Sequence, residues 1–528
     1  MTYYPGIRSM GDVSRFHARA RGDATALIFE GEAQTYRQFD ERCSRVANGL
    51  IGEGVGPQDC VAFLDKNSAA FFELMFGAAK ANAVTVAVNW RLAPAEVAYI
   101  VNDAKATVLF VGAPFYSLID KIRDELTTVT KIVAVQGGRP DWESYEAWRD
   151  RQGVADPKVA SADDDVCLQM YTSGTTGLPK GVMLTNRNFT DERSALVSDS
   201  GELKHNQWSP ADVSLVTMPV FHVAGAGWGF AGLYNGAKNI VLSEFVPHVV
   251  LETIAAERVS KIVLVPAAIK FTVEHPAAAT TDFSSLKYVL YGASPIPLEL
   301  LKNAMQVMKC GFVQVYGMTE TNGAITYLPA EDHDPQGNRR MRSAGKPMPG
   351  TEIKIIDADG RVLKTGEIGE VCIRSVQNMK GYWNLAKETA RTLDAEGWVH
   401  SGDAGYVDAD GYVFIHDRVK DMIVSGGENV YGAEVESAIF GHPAVADVAV
   451  IGVPDDQWGE AVKAIIVLKP GASATPDDII GFARARIAAY KCPKTVDFIA
   501  ALPRNPTGKI LKRELRAPYW AGRDRQVN

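Results

Sequence analysis

The chain has 528 residues, 46% of them hydrophobic and 22% charged, with a formal net charge of -8. That length exceeds one ordinary core and predicts a large and a small domain, while the acidic balance speaks against a nucleic-acid binder or a protein drawn to anionic membranes. It contains no apolar run long enough to span a bilayer, no signal-peptide order in Met1-Thr2-Tyr3-Tyr4-Pro5 and no CxxC pair among its six cysteines, so a cytoplasmic protein with reduced thiols is expected.

Residues 9 to about 165 alternate helical and extended patterns, as an α/β domain does. Helices are predicted over 39–54, where Cys43, Val46, Leu50 and Ile51 recur at helical spacing, and over 71–82. Strands are predicted over 60–64 and 85–88. Asn89-Trp90-Arg91-Leu92 then reads as a loop that starts a helix, and residue types alone show no chemistry in this half.

A buried strand over 166–170 leads into Tyr171-Thr172-Ser173-Gly174-Thr175-Thr176-Gly177-Leu178-Pro179-Lys180-Gly181. Its glycines let the backbone approach a ligand closely, and its hydroxyls and Lys180 offer donors to phosphate oxygens. Lys180 stands between Pro179 and Gly181, so this is neither a Walker A loop nor a GxGxxG fingerprint. A helix is predicted over 186–196. In the segment Met218-Pro219-Val220-Phe221-His222-Val223-Ala224-Gly225, His222 taken alone reads as a core histidine. Gly225, Ala226 and Gly227 either keep a channel open or allow tight helix packing. Buried parallel strands over 262–266, 288–290 and 312–315 follow. The last two end at Tyr291-Gly292-Ala293-Ser294-Pro295 and at Tyr316-Gly317-Met318-Thr319-Glu320-Thr321. Ligands of open α/β sheets sit beyond the carboxyl ends of the strands, so both ends point at one cleft.

After the turn-rich segment from Gly345 to Gly350, alternating strands over 351–374 predict a small β subdomain closing the large domain. Asp403 in Ser401-Gly402-Asp403, taken alone, closes an Asx-turn. The charged run Asp417-Arg418-Val419-Lys420-Asp421 divides the chain into domains 1–419 and 420–528. Ser425-Gly426-Gly427 is a glycine turn leading into a helix. Strands over 448–453 and 461–468, and a helix capped by Thr475 with Pro476 at its first position and running towards Tyr490, make the second domain α+β. It closes with Leu502-Pro503-Arg504-Asn505-Pro506-Thr507-Gly508-Lys509, a loop stiffened by its prolines with Lys509 at its tip. The fold expected is α/β: a large N-terminal domain with parallel sheets and a β subdomain, plus a small α+β C-terminal domain.

These motifs, over nearly the whole chain, resemble those of the adenylate-forming enzymes, the superfamily of acyl-CoA synthetases, peptide-synthetase adenylation domains and beetle luciferases. The resemblance implies an AMP-forming acyl-CoA synthetase that uses ATP, Mg²⁺ and coenzyme A. It implies Thr172, Ser173, Gly174, Thr175, Thr176, Gly177 and Lys180 around the ATP phosphates, and Gly292, Ala293 and Ser294 as the adenine turn. Tyr316 would stack on adenine beside Gly317, Thr319 would contact the α-phosphate, and Glu320 with Thr172 would hold Mg²⁺. Asp403 would accept the ribose hydroxyls and Arg418 would reach ribose and phosphate. His222 would neighbour the reacting carboxylate, with Val223, Gly225, Gly292 and Gly317 about the acyl group. Ser425, Gly426 and Gly427 would line the CoA tunnel, Lys420 would be the hinge of a mobile C-terminal domain, and Lys509 the catalytic lysine that bridges carboxylate and α-phosphate. The apolar, glycine-rich segment 225–236 favours a medium- or long-chain fatty acid. Aromatic, arylpropanoid or steroid side-chain acids are the alternatives, as is a stand-alone adenylation module that loads a carrier protein. A luciferase-like oxygenase is disfavoured, because nothing specific to oxygen chemistry is visible. A homodimer is compatible with the resemblance, and no nucleic acid or membrane-spanning segment is expected.

Overall fold

The computed structural model describes residues 4–172, 178–191, 204–418, 421–425, 428–455, 458–504 and 510–521. Two large sheets dominate the first four hundred or so residues, as an α/β chain of this size requires. In one, the strands Thr25–Phe29, Lys238–Val241, Val213–Val216, Lys261–Leu264, Tyr288–Gly292 and Gly311–Met318 run parallel in that spatial order. Antiparallel strands extend it at both edges. The other sheet runs parallel through Val166–Thr172, Val84–Ala87, Cys60–Leu64, Val108–Gly112 and Lys131–Val135, with Lys180–Thr185 antiparallel to the first of these.

The helices between the sheets are those whose sequence is apolar on nearly every face. Ala69–Lys80 begins at Ser68, whose hydroxyl accepts the Phe71 amide, and Phe71, Phe72, Leu74, Met75 and Phe76 are all buried. The helix Val223–Tyr234 is equally apolar, and most of its residues are buried. Both share one hydrophobic cluster with Leu27 of the first sheet and Phe63 and Phe110 of the second, so the two sheets are joined through a common core. Among the described residues no helix is long and apolar enough to cross a membrane.

Several boundaries differ from the sequence expectation for identifiable reasons. Gly311–Met318 runs three residues past its predicted end because Gly323–Leu328 folds back and pairs with it, Tyr316 facing Thr326. The β subdomain is larger than 351–374: Thr351–Ile356, Gly369–Ser375, Val399–Val407 and Val413–Arg418 form one antiparallel sheet. Asp403 therefore lies within a strand, opposite Arg418. Gly381–Tyr382 pairs with Lys180–Thr185 in the other sheet, tying the subdomain region to the strand that carries Lys180. In the C-terminal part, the strands Ile423–Ser425 and Glu428–Val430 pair antiparallel, Ser425 opposite Glu428, and the helix Gly432–Phe440 starts only afterwards. The helix capped by Thr475 spans Pro476–Arg484 and ends short of Tyr490, which lies in a separate 3₁₀ turn.

Candidate active site

A cleft of about 3140 Å³ runs along the carboxyl ends of the first sheet's strands and reaches the C-terminal residues. It is larger than the roughly 300–1,000 Å³ of an ordinary small-ligand site, with room for more than one substrate. Thr172, Lys180, His222, Val223, Gly292, Ala293, Ser294, Tyr316, Gly317, Thr319, Glu320 and Asp403 all line it. Gly225 does not; it is buried, and a Cβ there would meet the Met218 and Pro219 carbonyl oxygens at 2.4 and 2.3 Å. Ser425 is buried in the C-terminal sheet beside Gly459. The predicted Ser173, Gly174, Thr175, Thr176, Gly177, Lys420, Gly426, Gly427 and Lys509 lie outside the described residues, as does the Arg418 side chain.

The turn after Tyr288–Gly292 owes its shape to two residues. A Cβ on Gly292 would lie 2.1 Å from the Val315 carbonyl oxygen, so only glycine lets the neighbouring strand come this close. Ala293 then takes a left-handed conformation with φ 67°, an uncommon state for alanine and a mark of a constrained site. One strand over, Tyr316 donates a 2.6 Å hydrogen bond from its hydroxyl to Asp403 Oδ2. The turn Thr319–Thr321 follows, held by Thr321 Oγ1, which accepts the Met318 amide at 3.1 Å.

Glu320 is buried, with 7% of its surface exposed, and its Oε1 accepts a 2.7 Å hydrogen bond from the Tyr382 hydroxyl. The Lys180 ammonium lies 5.0 Å from the centre of the Tyr382 ring and donates to Glu388 Oε2 at 2.7 Å. Lys180 itself is placed by the hairpin register that sets it opposite Thr172. Tyr382 thus touches both the carboxylate and the ammonium. Tyr382 and Glu388 were missed from sequence because they lie some 200 residues from Lys180, and no local pattern joins them.

His222 precedes the helix Val223–Tyr234, and its Nε2 is buried without a hydrogen-bond partner among the described residues. Burial, assisted by the charge of Arg91, holds its pKa down to about 3, so the ring is a neutral imidazole at physiological pH. Arg91 stacks 4.5 Å from the Trp90 ring centre and 6.0 Å from that of Phe221, the residue before His222. Asn89, Trp90, Arg91 and Leu92 all line the cleft, although the loop does start a helix, Pro94–Asp103. From sequence they read only as a helix-entry loop, and residue type alone gave no signal of the cleft.

Beyond His222, the helix presents Val223, Ala224, Gly227, Trp228 and Ala231 to the cleft. Its other glycines serve packing. A Cβ on Gly229 would lie 2.3 Å from the Phe72 ring, which brings this helix into close contact with Ala69–Lys80.

The AMP-binding enzyme family matches residues 15–383, and the AMP-binding enzyme C-terminal domain matches residues 434–509. The fatty acid–[acyl-carrier-protein] ligase ScoC of Streptomyces coeruleorubidus is 39% identical over 527 residues, covering 100% of this chain and 99% of that one. The long-chain-fatty-acid–CoA ligase FadD13 of Mycobacterium tuberculosis is 39% identical over 493 residues, covering 92% of this chain and 93% of its own. The crystal structure of the anthranilate CoA ligase AuaEII in complex with anthranoyl-AMP superposes with a TM-score of 0.90 at 30% identity, covering 98% of each chain. The chain belongs to the AMP-binding, adenylate-forming enzymes, in the branch of the acyl-CoA synthetases and fatty-acid ligases.

Proposed function

We propose that the chain converts a medium- or long-chain fatty acid to its CoA thioester, using ATP and Mg²⁺ and passing through an acyl-adenylate. The observation that carries this reading is the convergence on one cleft of the Gly292-Ala293-Ser294 turn, the Tyr316–Asp403 pair, Glu320 and His222.

In the first step a carboxylate oxygen attacks the α-phosphorus of ATP and pyrophosphate leaves. No protein nucleophile is needed; catalysis consists of alignment and of offsetting charge on the phosphoryl oxygens. Asp403 accepts the ribose hydroxyls, Tyr316 covers adenine, and Thr319, Lys180 and Lys509 donate to phosphoryl oxygens. Neutral His222, its Nε2 facing no protein donor or acceptor among the described residues, orients the acid. Glu320 and Thr172 offer only oxygen donors, which fits Mg²⁺; bound there, the ion would offset phosphate charge. In the second step the CoA thiolate attacks the acyl carbon and AMP leaves. Lys509 withdraws by rotation of domain 420–528 about Lys420, which brings the turn at Ser425, Gly426 and Gly427 to the thiol tunnel. A reducing cytoplasm suits the chain, whose six cysteines are all free thiols.

A second reading takes a carrier-protein thiol as acceptor, because ScoC, which matches this chain end to end, is named for that acceptor. Aromatic acids are the substrate alternative, given the likeness to AuaEII. The test is formation of AMP and thioester from ATP, Mg²⁺ and a panel of fatty, benzoic and cinnamic acids, with CoA or a phosphopantetheinylated carrier protein. Rapid fatty acyl-CoA formation is expected. Acid-dependent pyrophosphate exchange with thioester only on the carrier protein would overturn the CoA reading.

A further inference from the structure

A cluster of donors unrelated to phosphate chemistry sits beside Asp403. Glu370 and Cys372 project from the same face of the strand Gly369–Ser375, two residues apart. His400, on Val399–Val407, stands directly opposite Cys372. His400 Nδ1 lies 3.2 Å from Glu370 Oε2 and 3.6 Å from Cys372 Sγ, and the three donor atoms lie within 4.8 Å of one another.

We propose that Glu370, Cys372 and His400 form a binding site for a borderline-soft divalent cation of the zinc class. The donor set, one thiolate, one imidazole and one carboxylate, selects zinc over Mg²⁺. The two spacings about the imidazole agree: ideal tetrahedral zinc bonds place nitrogen about 3.3 Å from oxygen and about 3.6 Å from sulfur. The far ring nitrogen, His400 Nε2, faces Asp394 Oδ2 at 3.6 Å, the carboxylate-behind-histidine arrangement that orients metal-bound imidazoles. With the proton on Nε2, Nδ1 turns a lone pair towards the Glu370 carboxylate, and a cation between them relieves that opposition. Glu370 and His400 border the main cleft, which leaves a path for the ion and a fourth position for water, while Cys372 is buried behind them. Binding exchanges the Cys372 S–H bond for a metal–sulfur bond and releases the proton to solvent.

The site has a structural consequence. Glu370 Oε1 already accepts the Gly402 amide at 3.0 Å, so an ion on Oε2 clamps the stretch of the strand Val399–Val407 that carries Asp403. The ion therefore raises thermal stability through linkage.

The test uses the full chain, stripped with a chelator and titrated with Co²⁺ as a spectroscopic probe. A thiolate-to-cobalt charge-transfer band saturating at one ion per chain is expected. Zn²⁺ should displace that band and raise the melting temperature. Cys372→Ser should abolish the band, and His400→Gln should weaken Co²⁺ binding at least tenfold, with both metal-free variants melting cooperatively. Should Cys372→Ser fail to fold, His400→Gln alone decides through affinity. Absence of a band in the native chain, or an unchanged band in the variants, overturns the proposal. ATP binding by the same samples, measured separately, keeps this result distinct from the proposed function.

Discussion

The Tyr316 hydroxyl donates to Asp403 across 2.6 Å, joining the strand Gly311–Met318 to the β subdomain. Arg418 stands opposite Asp403 in the register of that subdomain. The hydrogen bond fixes the carboxylate before any ligand arrives, and the proposed ribose contact depends on that placement. Tyr316→Phe removes a net contribution of about 0.5–1.5 kcal/mol, so KM for ATP should rise roughly 2- to 12-fold with little change in kcat. Asp403→Asn removes charge-assisted bonds of about 1.5–3 kcal/mol and should raise KM for ATP roughly 10- to 150-fold. Steady-state kinetics at saturating acid measures both. Equal, small effects would mean that Asp403 does not touch the ribose.

Tyr382 links Glu320 to Lys180, and that arrangement predicts a Mg²⁺-dependent stability. Tyr382→Phe leaves the buried Glu320 carboxylate short of one donor, a loss of about 1–3 kcal/mol. The deficit should shrink when Mg²⁺ and ATP are added, because the cation takes up the exposed charge. Glu320→Gln should raise the half-saturating Mg²⁺ concentration about tenfold or more, a change equivalent to roughly 1.4 kcal/mol. Thermal melts with and without Mg²⁺·ATP check the first, and turnover against Mg²⁺ concentration checks the second. A Tyr382→Phe deficit independent of Mg²⁺ would remove Glu320 from the metal site.

Short-range order was legible in the sequence where one physical rule sufficed. The strand Cys60–Leu64 matches its apolar run to the residue, and Thr475 caps its helix with Pro476 at the first position as expected. The strand ends carrying Gly292 and Tyr316 were also legible, because glycine and polar residues after a buried strand mark a ligand edge. What was not legible depended on distant partners. The extension of Gly311–Met318 is made by a returning strand, and Asp403 became a strand residue by pairing with Arg418. The glycines of Val223–Tyr234 read equally as an open channel or as tight packing, and Gly225 and Gly229 meet the Pro219 carbonyl and the Phe72 ring. Periodicity registers a small residue, but only the fold says what lies against it.

Four buried histidines make acid stability a second readout of the core. Burial lowers the pKa of His17, His205 and His333 to about 4 and that of His222 to about 3. Between pH 6.5 and those values the unfolded chain binds protons that the native chain does not, so stability rises with pH and is lost as pH falls. Asp65, pushed up to about 7 by burial, acts in the opposite sense between pH 7 and its unfolded value. The histidines outnumber it, and the melting temperature should fall from pH 6.5 to pH 4. His333 is the tractable case: its Nδ1–H donates to the Pro329 carbonyl and its Nε2 accepts from the Tyr291 hydroxyl, each at 2.9 Å. His333→Gln can meet both partners without titrating, and should reduce the slope by about 1.4 kcal/mol per pH unit. Unfolding free energies from denaturant melts across this range measure the slope; an unchanged slope would place the proton uptake elsewhere.

Two neighbouring glycines separate channel from packing. Gly227 lines the cleft, and a Cβ there would meet only Val223 Cγ1, at 3.2 Å. Gly229 lies against Phe72, whose ring carbons would stand 2.3 Å from an added Cβ. If the acyl chain runs along the face carrying Ala224, Gly227 and Ala231, Gly227→Leu fills its path. That variant should lower kcat/KM for long-chain acids at least tenfold (about 1.4 kcal/mol) relative to short-chain acids, with the melting temperature nearly unchanged. Gly229→Ala forces the helix away from Ala69–Lys80 and should cost about 1–3 kcal/mol of stability while leaving the ratio between long and short acids intact. Parallel measurement of chain-length profiles and melts for both variants distinguishes the two roles. An unaltered profile in Gly227→Leu would mean that the acid lies along a different wall of the cleft, and that the chain-length preference is set away from this helix.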